Sequence, residues 1–233
     1  MNSLAADAIA YHRSLADEWE ERYQKPTFRA RETVLAQCLQ GRDVAGTLWL
    51  DAGCGTGTLS RWLAARGCRV VGLDGAPEMI RAAHGIAEIW EGSPRTQFAH
   101  IGTIAELPLP DSCADGILCS SVLEYVSDPG ACLNEFARVL KVRGLLLVSV
   151  PNRRSLVRRV QAGCHRCGSI VGIDWLKFMK YSRQEFSLSE FQILLRQTGF
   201  SVKKQLPFGS PLPALARRSR IWGPLLMFAA EKL

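Results

Sequence analysis

Two aspartates and three closely spaced glycines in the first third of the chain have the types and spacing needed to hold a nucleoside. The stretch Leu48–Ser60 reads LWLDAGCGTGTLS, with Asp51 two places before Gly53, and Gly55 and Gly57 following at alternate positions. Asp74 closes a second apolar run about twenty residues later. Glycines at this spacing let a backbone turn sharply and approach a bound group closely. A dinucleotide fingerprint would read G-x-G-x-x-G, whereas this turn reads G-x-G-x-G. The carboxylate at the strand end sorts ligands by charge. A pyrophosphate ~4 Å from Asp51 would be repelled by roughly 4 kcal/mol per unit charge at an effective dielectric of about 20, and an ammonium would gain a gross term of similar size. Asp51 therefore favours a zwitterionic ligand with a cationic end over a diphosphate. Asp74 can accept hydrogen bonds from two ribose hydroxyls, which suits any adenosine ligand. Its plainer alternative is a helix-capping acid ahead of Pro77.

The surrounding elements must place these groups at one edge of a sheet. TLWLDAG, CRVVGLD, TQFAHIGT, ADGILCSS and GLLLVSVPN read as five short, largely apolar strands. Between them, TLSRWLAARG reads as a helix stopped by Gly67, PEMIRAAHGIAEI as one with Pro77 in its first turn, and DPGACLNEFARVLK as one capped by Asp128. Strand–helix alternation predicts an α/β fold with a parallel sheet. Ahead of it, SLADEWEERY and RARETVLAQCLQ read as two helices. After Pro151 a basic, irregular stretch to Tyr181 reads as an insertion, helical in parts, shaping a substrate pocket. SLSEFQILLRQTGF follows as a helix, then FSVKKQL and GPLLMFAAEKL as closing strands. The expected organisation is one domain: cap 1–46, cofactor-binding core 47–150, basic insertion 151–181, and closing elements 182–233.

Composition fits one domain of 233 residues with a sizeable core. There is no apolar run of membrane-spanning length and no apolar leader core, so a cytoplasmic protein is expected. The eight cysteines are scattered through predicted strands and helices, the pattern of a reduced compartment. Cys164 and Cys167 have metal-like spacing, but no second pair completes a four-ligand set, so no metal is expected. Charge is uneven. The chain is net −4 through Val150 (14 Lys+Arg against 18 Asp+Glu) and net +11 beyond it (15 against 4). That split suggests an anionic partner on the C-terminal side or, more plainly, a solvated basic surface.

S-adenosyl-L-methionine carries both an ammonium and a sulfonium, and a resemblance points the same way. LWLDAGCGTG, VVGLDGAPEMI, AELPLPDSCADGILCSSVLEYVSDP and EFARVLKVRGLLLVSVPN resemble, in order, the motifs of class I S-adenosylmethionine-dependent methyltransferases, covering about Thr47 to Asn152. The chain is most similar to the small-molecule branch of ubiquinone-pathway and natural-product O-methyltransferases (methyltransferase type 11), and YHRSLADEWEERY resembles that branch's N-terminal cap. The resemblance implies a Rossmann-like, doubly wound sheet of seven strands, mostly parallel with an antiparallel last strand. It also implies roles. Asp51 and the backbone of Ala52, Gly53, Gly55 and Gly57 would hold the methionine end, with Tyr23 and Arg31 (or Arg29) near its carboxylate. Asp74 and Gly75 would serve the ribose, Met79 would pack on adenine, and Thr103, Ile104 and Ala105 would line the adenine edge. Ser120 would lie beside the sulfonium. The chain departs from the pattern at Thr103, where the family often has aspartate, at Tyr125, where many members have histidine, and at Val142–Gly144, where Pro-Gly-Gly is usual.

Methyl transfer from a sulfonium is an in-line displacement, so alignment and water exclusion dominate. A high-pKa oxygen nucleophile also needs a base. Glu124 is the expected base and Tyr125 the orienting group. The alternative is a core Tyr125 and a Glu124 paired with arginine. His12 is a second candidate base, and Tyr11 lies beside it on the same helix. His84 and His100 are expected to be structural and distant from the strand ends. Three functions compete: a methyltransferase of a hydrophobic, anionic or carrier-bound small molecule, an RNA methyltransferase using the basic C-terminal third, and a non-catalytic binder. Absence of a separate RNA-binding module, and SSVLEY in place of Asn/Asp-Pro-Pro-Tyr, weigh against nucleic acid. The arginines Arg153, Arg154, Arg158 and Arg159, and the stretch LARRSRIWGPLL, suit an acidic head group, a carrier protein or an anionic membrane surface.

Overall fold

The computed structural model describes residues 3–13, 15–90, 93–170, 181–182, 184–209 and 222–233. All seven expected strands form. They are β1 (Leu48–Ala52), β2 (Arg69–Asp74), β3 (Thr96–His100), β4 (Ala114–Ser120), β5 (Leu140–Pro151), β6 (Phe200–Phe208) and β7 (Leu225–Lys232). Their order is β3-β2-β1-β4-β5-β7-β6. β1 to β5 pair in parallel, and β7 lies antiparallel between β5 and β6. The order reverses at β1, whose neighbours are β2 and β4, so the crevice that binds ligands in open α/β sheets lies above the C-terminal ends of these strands.

Alternation along the strands builds two cores. Leu50, Ala52, Ile117, Cys119, Leu146 and Val148 face one side, against α6 (Pro129–Val139) through Leu133 and Phe136 and α8 (Leu188–Gln197) through Phe191 and Leu195. Trp49, Leu118, Leu145 and Leu147 face the other, against α3 (Pro26–Leu39) through Leu35 and Leu39 and α4 (Thr58–Ala64) through Leu59 and Leu63. Successive residues of one strand serve opposite layers, so the central strands must be apolar throughout, as their sequences are.

Local chemistry sets the ends. Pro77 opens α5 (Pro77–Glu88) at its first turn. Asp128 caps α6, its carboxylate accepting from the Ala131 N–H at 2.9 Å. Asp128→Ala should cost about 1 kcal/mol, read as a lower denaturant midpoint at unchanged slope. β5 starts at Leu140, ahead of its apolar run, because Leu140 pairs with Ala114 before the register shifts to Gly116 and Leu145. Arg143, with φ 63°, makes that bulge where the family pattern has Pro-Gly-Gly.

The N-terminal helices differ from expectation. A continuous helix over 14–23 does not form. Instead α1 (Ser3–Arg13) ends early, a 3₁₀ turn covers Ala16–Glu18, and α2 (Trp19–Tyr23) follows. α3 begins at Pro26, before the expected Arg29, because proline is pre-set for a first helical turn. The breaks let Trp19 turn inward. In the insertion, α7 spans Leu156–Ile170. Most of LARRSRIWGPLL, and the side chain of Cys167, lie outside the described residues.

Candidate active site

β1 feeds directly into the glycine turn, which is stitched to β2. The Gly53 and Cys54 N–H groups both donate to the Leu73 carbonyl, at 2.7 and 3.1 Å. Gly53, Gly55 and Gly57 all have positive φ (79°, 55° and 79°). A Cβ on Gly53 would stand 2.3 Å from Val122, and one on Gly57 would stand 2.5 Å from Phe98. Side chains are thus excluded twice, by backbone conformation and by space.

Asp74 ends β2 with both oxygens engaged. Oδ2 accepts from the Gly55 N–H and Oδ1 from the Ala76 N–H, each at 2.8 Å. It therefore fixes the turn between β2 and α5 and orders the glycine turn at once, and each oxygen keeps a lone pair for a ribose hydroxyl. Asp51 is 2% exposed and accepts from the Ser60 hydroxyl at 2.6 Å. Burial pushes its pKa up to about 7, the Asp74 carboxylate adds to the rise, and the Ser60 bonds oppose it. Two acids under one turn are costly unless a cation joins them.

A cation of the chain lies nearby. Arg31, on α3, is buried. Its Nη2 donates to the Ser121 hydroxyl at 3.1 Å, and its guanidinium sits 4.6 Å from the Phe28 ring centre. The Tyr23 hydroxyl feels both this charge and Asp51. Burial, the larger influence, pushes its pKa up to about 12. Ser120, at the end of β4, shares a hydroxyl contact of 3.2 Å with Ser149.

The cap is fastened across the turn by groups the sequence reading did not single out. Glu20 on α2 accepts from the hydroxyls of Thr56 (2.6 Å) and Thr58 (2.8 Å) and from Arg61 Nη2 (2.9 Å). The Trp19 indole lies over Gly55, where a Cβ would be 3.1 Å from its nitrogen. Trp19 also packs with Ile9 against Met79, Ala16 and Ala76. Only the spacing T-x-T-x-x-R beside an acidic helix hinted at this latch. Glu20→Ala should weaken S-adenosylhomocysteine binding about tenfold, on the scale of one or two lost charge-assisted bonds. Calorimetry reads the affinity, and faster amide exchange in α2 reads the loosened cap.

After β4 the chain turns through Ser121, which has φ 59°. Glu124 is 4% exposed, and its Oε2 has no hydrogen-bond partner among the described residues. Burial pushes its pKa up to about 7 against the opposing charges of Arg158 and Arg31. Tyr125 is raised far above its ordinary value, chiefly by burial. Its ring meets His12 edge-on at 4.9 Å, His12 meets Trp19 at 5.6 Å, and Tyr11 stacks on Tyr181 at 4.9 Å. The charge of His12 also acts on Asp74. The structure thus gathers His12, Asp74, Glu124, Tyr125 and Arg31 around the strand ends.

The adenine side is less direct. Met79 is buried in the α1/α5 contact, and Gly75 lies beside Ile9. Ala52 and Ile104 point into the core, so only their backbone can face a ligand. The Thr103 hydroxyl accepts from the Ala105 N–H at 3.1 Å, holding its own turn. One expectation needs correction. His100 is not distant from the strand ends: it is the last residue of β3, in register with Asp74, with Nε2 3.2 Å from the Gly75 carbonyl. His84, by contrast, packs edge-on against Phe98. The four insertion arginines differ in burial. Arg158 is buried against Glu185 and Ser182, while Arg154, Arg159 and Arg153, the last paired with Glu190, are exposed.

A parallel sheet reversing at β1, a glycine turn there and an acid closing β2 together define a nucleoside-binding α/β domain. Over residues 50–148 the chain matches the family model described as a methyltransferase domain. It is 38% identical over 132 residues to a ubiquinone biosynthesis O-methyltransferase of Xylella fastidiosa, a match covering 56% of this chain and 52% of that one. It is 39% identical over 112 residues to a malonyl-[acyl-carrier protein] O-methyltransferase of Serratia marcescens, covering 47% and 40%. The chain thus spans about half the length of the curated relatives it matches. Its fold is shared with the magnesium protoporphyrin IX methyltransferase of Synechocystis PCC 6803, solved with bound S-adenosylhomocysteine (TM-score 0.66, 21% identity, 93% of this chain and 94% of that one). It is shared too with an S-adenosylmethionine-dependent methyltransferase of Mesorhizobium loti (TM-score 0.65, 18% identity, 86% and 96%). No helix among the described residues is long and apolar enough to cross a membrane.

Proposed function

We propose that the chain moves the sulfonium methyl of S-adenosylmethionine to an oxygen of a small or carrier-bound acceptor, with Glu124 taking the acceptor proton. The observation that carries this is the charge layout around one turn. Asp51 and Asp74 supply buried negative charge, and Arg31 meets the Ser121 hydroxyl and the Phe28 ring rather than a carboxylate. An amino-acid tail answers both signs, its ammonium near Asp51 and its carboxylate near Arg31, while the ribose takes Asp74. A diphosphate would answer only the arginine.

The chain's residues then have defined work. The Gly53–Gly57 backbone admits the methionine end, and Trp19 with the Glu20 latch keeps water away. Tyr125 and His12 wall the acceptor side. As the acceptor oxygen attacks the methyl carbon, the C–S bond breaks, its electron pair stays on sulfur as neutral S-adenosyl-L-homocysteine, and the acceptor's O–H proton passes to Glu124. Oxygen as the nucleophile is supported by the two relatives, both named as O-methyltransferases.

Calorimetry with S-adenosylmethionine is the test. Wild type should bind, and Asp51→Asn, which keeps shape and removes charge, should bind about 10- to 100-fold more weakly. Because the free Asp51 has a pKa of about 7, binding below that pH should also release a proton, detectable as a heat that varies with buffer. Equal affinity of the two proteins would overturn the reading of the pocket. Release of S-adenosylhomocysteine with fractionated cell extract, followed by mass spectrometry of the methylated product, identifies the acceptor. Turnover that depends on RNA would replace a small molecule with nucleic acid.

A further inference from the structure

The cap crosses the nucleoside crevice and is tied to both of its walls. On one side Glu20 of α2 holds the start of α4, accepting from the Thr56 and Thr58 hydroxyls and from Arg61. On the other, Arg13 at the end of α1 holds the start of α5, its Nε donating to Glu78 at 2.7 Å. The polarity is opposite at the two ties: the cap offers an acid to α4 and a base to α5. Between them the chain turns tightly. Leu15 N–H donates to the His12 carbonyl at 3.0 Å, and Glu18 N–H to the Leu15 carbonyl at 3.1 Å.

What the cap covers is the acid suited to a ribose. Asp74 lies between two glycines, Gly55, whose N–H it accepts from, and Gly75, which follows it in the chain. A cap side chain lies over each. A Cβ on Gly55 would be 3.1 Å from the Trp19 indole nitrogen, and one on Gly75 would be 3.2 Å from Ile9 Cδ1. Ala16 of the cap is buried with Ala76 and Met79 in the same contact. Trp19, Ile9 and Ala16 thus form a roof from the glycine turn to α5, and the two ties hold its edges.

We propose that this cap is the gate for the cofactor: S-adenosylmethionine enters and S-adenosylhomocysteine leaves only while the Glu20 and Arg13 ties are open, and the ties set both rates. The proposal rests on the reading of the glycine turn and Asp74 as the cofactor site. Both ion pairs are partly exposed, with the Arg13 side chain 54% and the Glu20 side chain 37% accessible. Pairs of this kind are weak enough to open on every turnover, and salt reaches them. Opening also withdraws Tyr11 from Tyr181 and His12 from Tyr125, rings that meet at 4.9 Å when the cap is shut. The acceptor wall is therefore complete only over a closed gate, which places cofactor before acceptor in the order of binding.

Surface plasmon resonance on the full-length protein, with S-adenosylhomocysteine as the probe, reads entry and release separately. Arg13→Met should quicken both about two- to fivefold, the range of a partly exposed ion pair. Glu20→Ala should quicken association about threefold and dissociation about thirtyfold, so that the tenfold loss of affinity expected above comes from faster release. Wild-type association should also quicken between about 0.05 and 0.5 M salt as the ties are screened, and the double variant should lose that dependence. S-adenosylhomocysteine has no net charge, so long-range steering does not contribute. A folded double variant that associates no faster than wild type overturns the proposal. Should it fail to fold, the same result in Arg13→Met overturns it, since that pair lies at the surface. Binding with unaltered rates keeps the site and removes the gate. Failure of the underlying reading looks different: wild type would bind no S-adenosylhomocysteine under any condition, and the gate would fall with the site it guards.

Discussion

Glu124→Gln should lower methyl transfer by about 10²- to 10⁴-fold, the span that general base catalysis supplies, while S-adenosylhomocysteine affinity stays at the wild-type value. The amide is isosteric with the acid and can still accept a hydrogen bond, so acceptor placement survives and only the proton sink is lost. The pH profile carries the same information. Burial raises the Glu124 pKa to about 7, so the rate should climb as pH rises through that value and the carboxylate forms. Stability should run the opposite way. A carboxyl whose folded-state pKa exceeds its ordinary value of 4.5 contributes stability that is fully present below that ordinary value and is lost as pH rises through about 7. The loss is on the order of 3 kcal/mol. Glu124→Gln should flatten this part of the stability–pH curve, as measured by denaturant melts across the range. Wild-type turnover in the variant would remove Glu124 from the reaction, and an unchanged curve would show that the carboxyl is not held neutral by its surroundings.

Gly53→Ala should disable both stability and binding. The position has φ 79°, which costs a side-chain-bearing residue about 1–2 kcal/mol. The new methyl would also stand 2.3 Å from Val122 Cγ2. Valine is stiff about χ1, so relief requires backbone movement, and overpacking of this kind typically costs about 1–3 kcal/mol. Together these predict roughly 2–5 kcal/mol of lost stability and at least about a hundredfold loss of cofactor affinity, because the turn that must move also donates from Gly55 to Asp74. Adding Val122→Ala should return the steric share and leave the backbone share, a non-additivity that a double-mutant cycle reads directly. A Gly53→Ala protein with unchanged melting and binding would mean that the turn and the Val122 loop are not in contact. Val122 lies two residues before Glu124, so the absence of a side chain at Gly53 sets the loop that carries the proposed base down on the glycine turn.

The elements of the sheet were legible because their signals are local. The strands were visible as short apolar runs, and Asp128 and Pro77 marked helix starts by their own side-chain chemistry. The cap was read less well. Its residues were identified as covering the site, but the break between α1 and α2 and the inward turn of Trp19 depend on what those helices pack against. The basic insertion was read as shaping a substrate pocket, its charge answering either an anionic partner or solvent. Arg158 shows why composition fails there: a positive charge beside Glu185 and Ser182 in space is a buried pair, and the partners lie 27 and 24 residues away in sequence.

By itself, the sequence determined the strand–helix alternation, the glycine turn between β1 and α4, and the sign of charge around it, since each follows from a residue's own preference or from neighbours within a few positions. The tertiary structure alone decided that Glu20 would latch the cap through Thr56, Thr58 and Arg61, that Ser60 would hold Asp51, that His100 would reach the strand ends, that Arg31 would meet Ser121, and that Arg158 would be buried against Glu185 and Ser182. These are meetings of distant segments, fixed by the order β3-β2-β1-β4-β5-β7-β6 and by the burial of both sheet faces. Burial then does what no single residue can: it removes water from around Asp51 and Glu124 and moves both carboxyls into the range where proton exchange near neutral pH becomes useful.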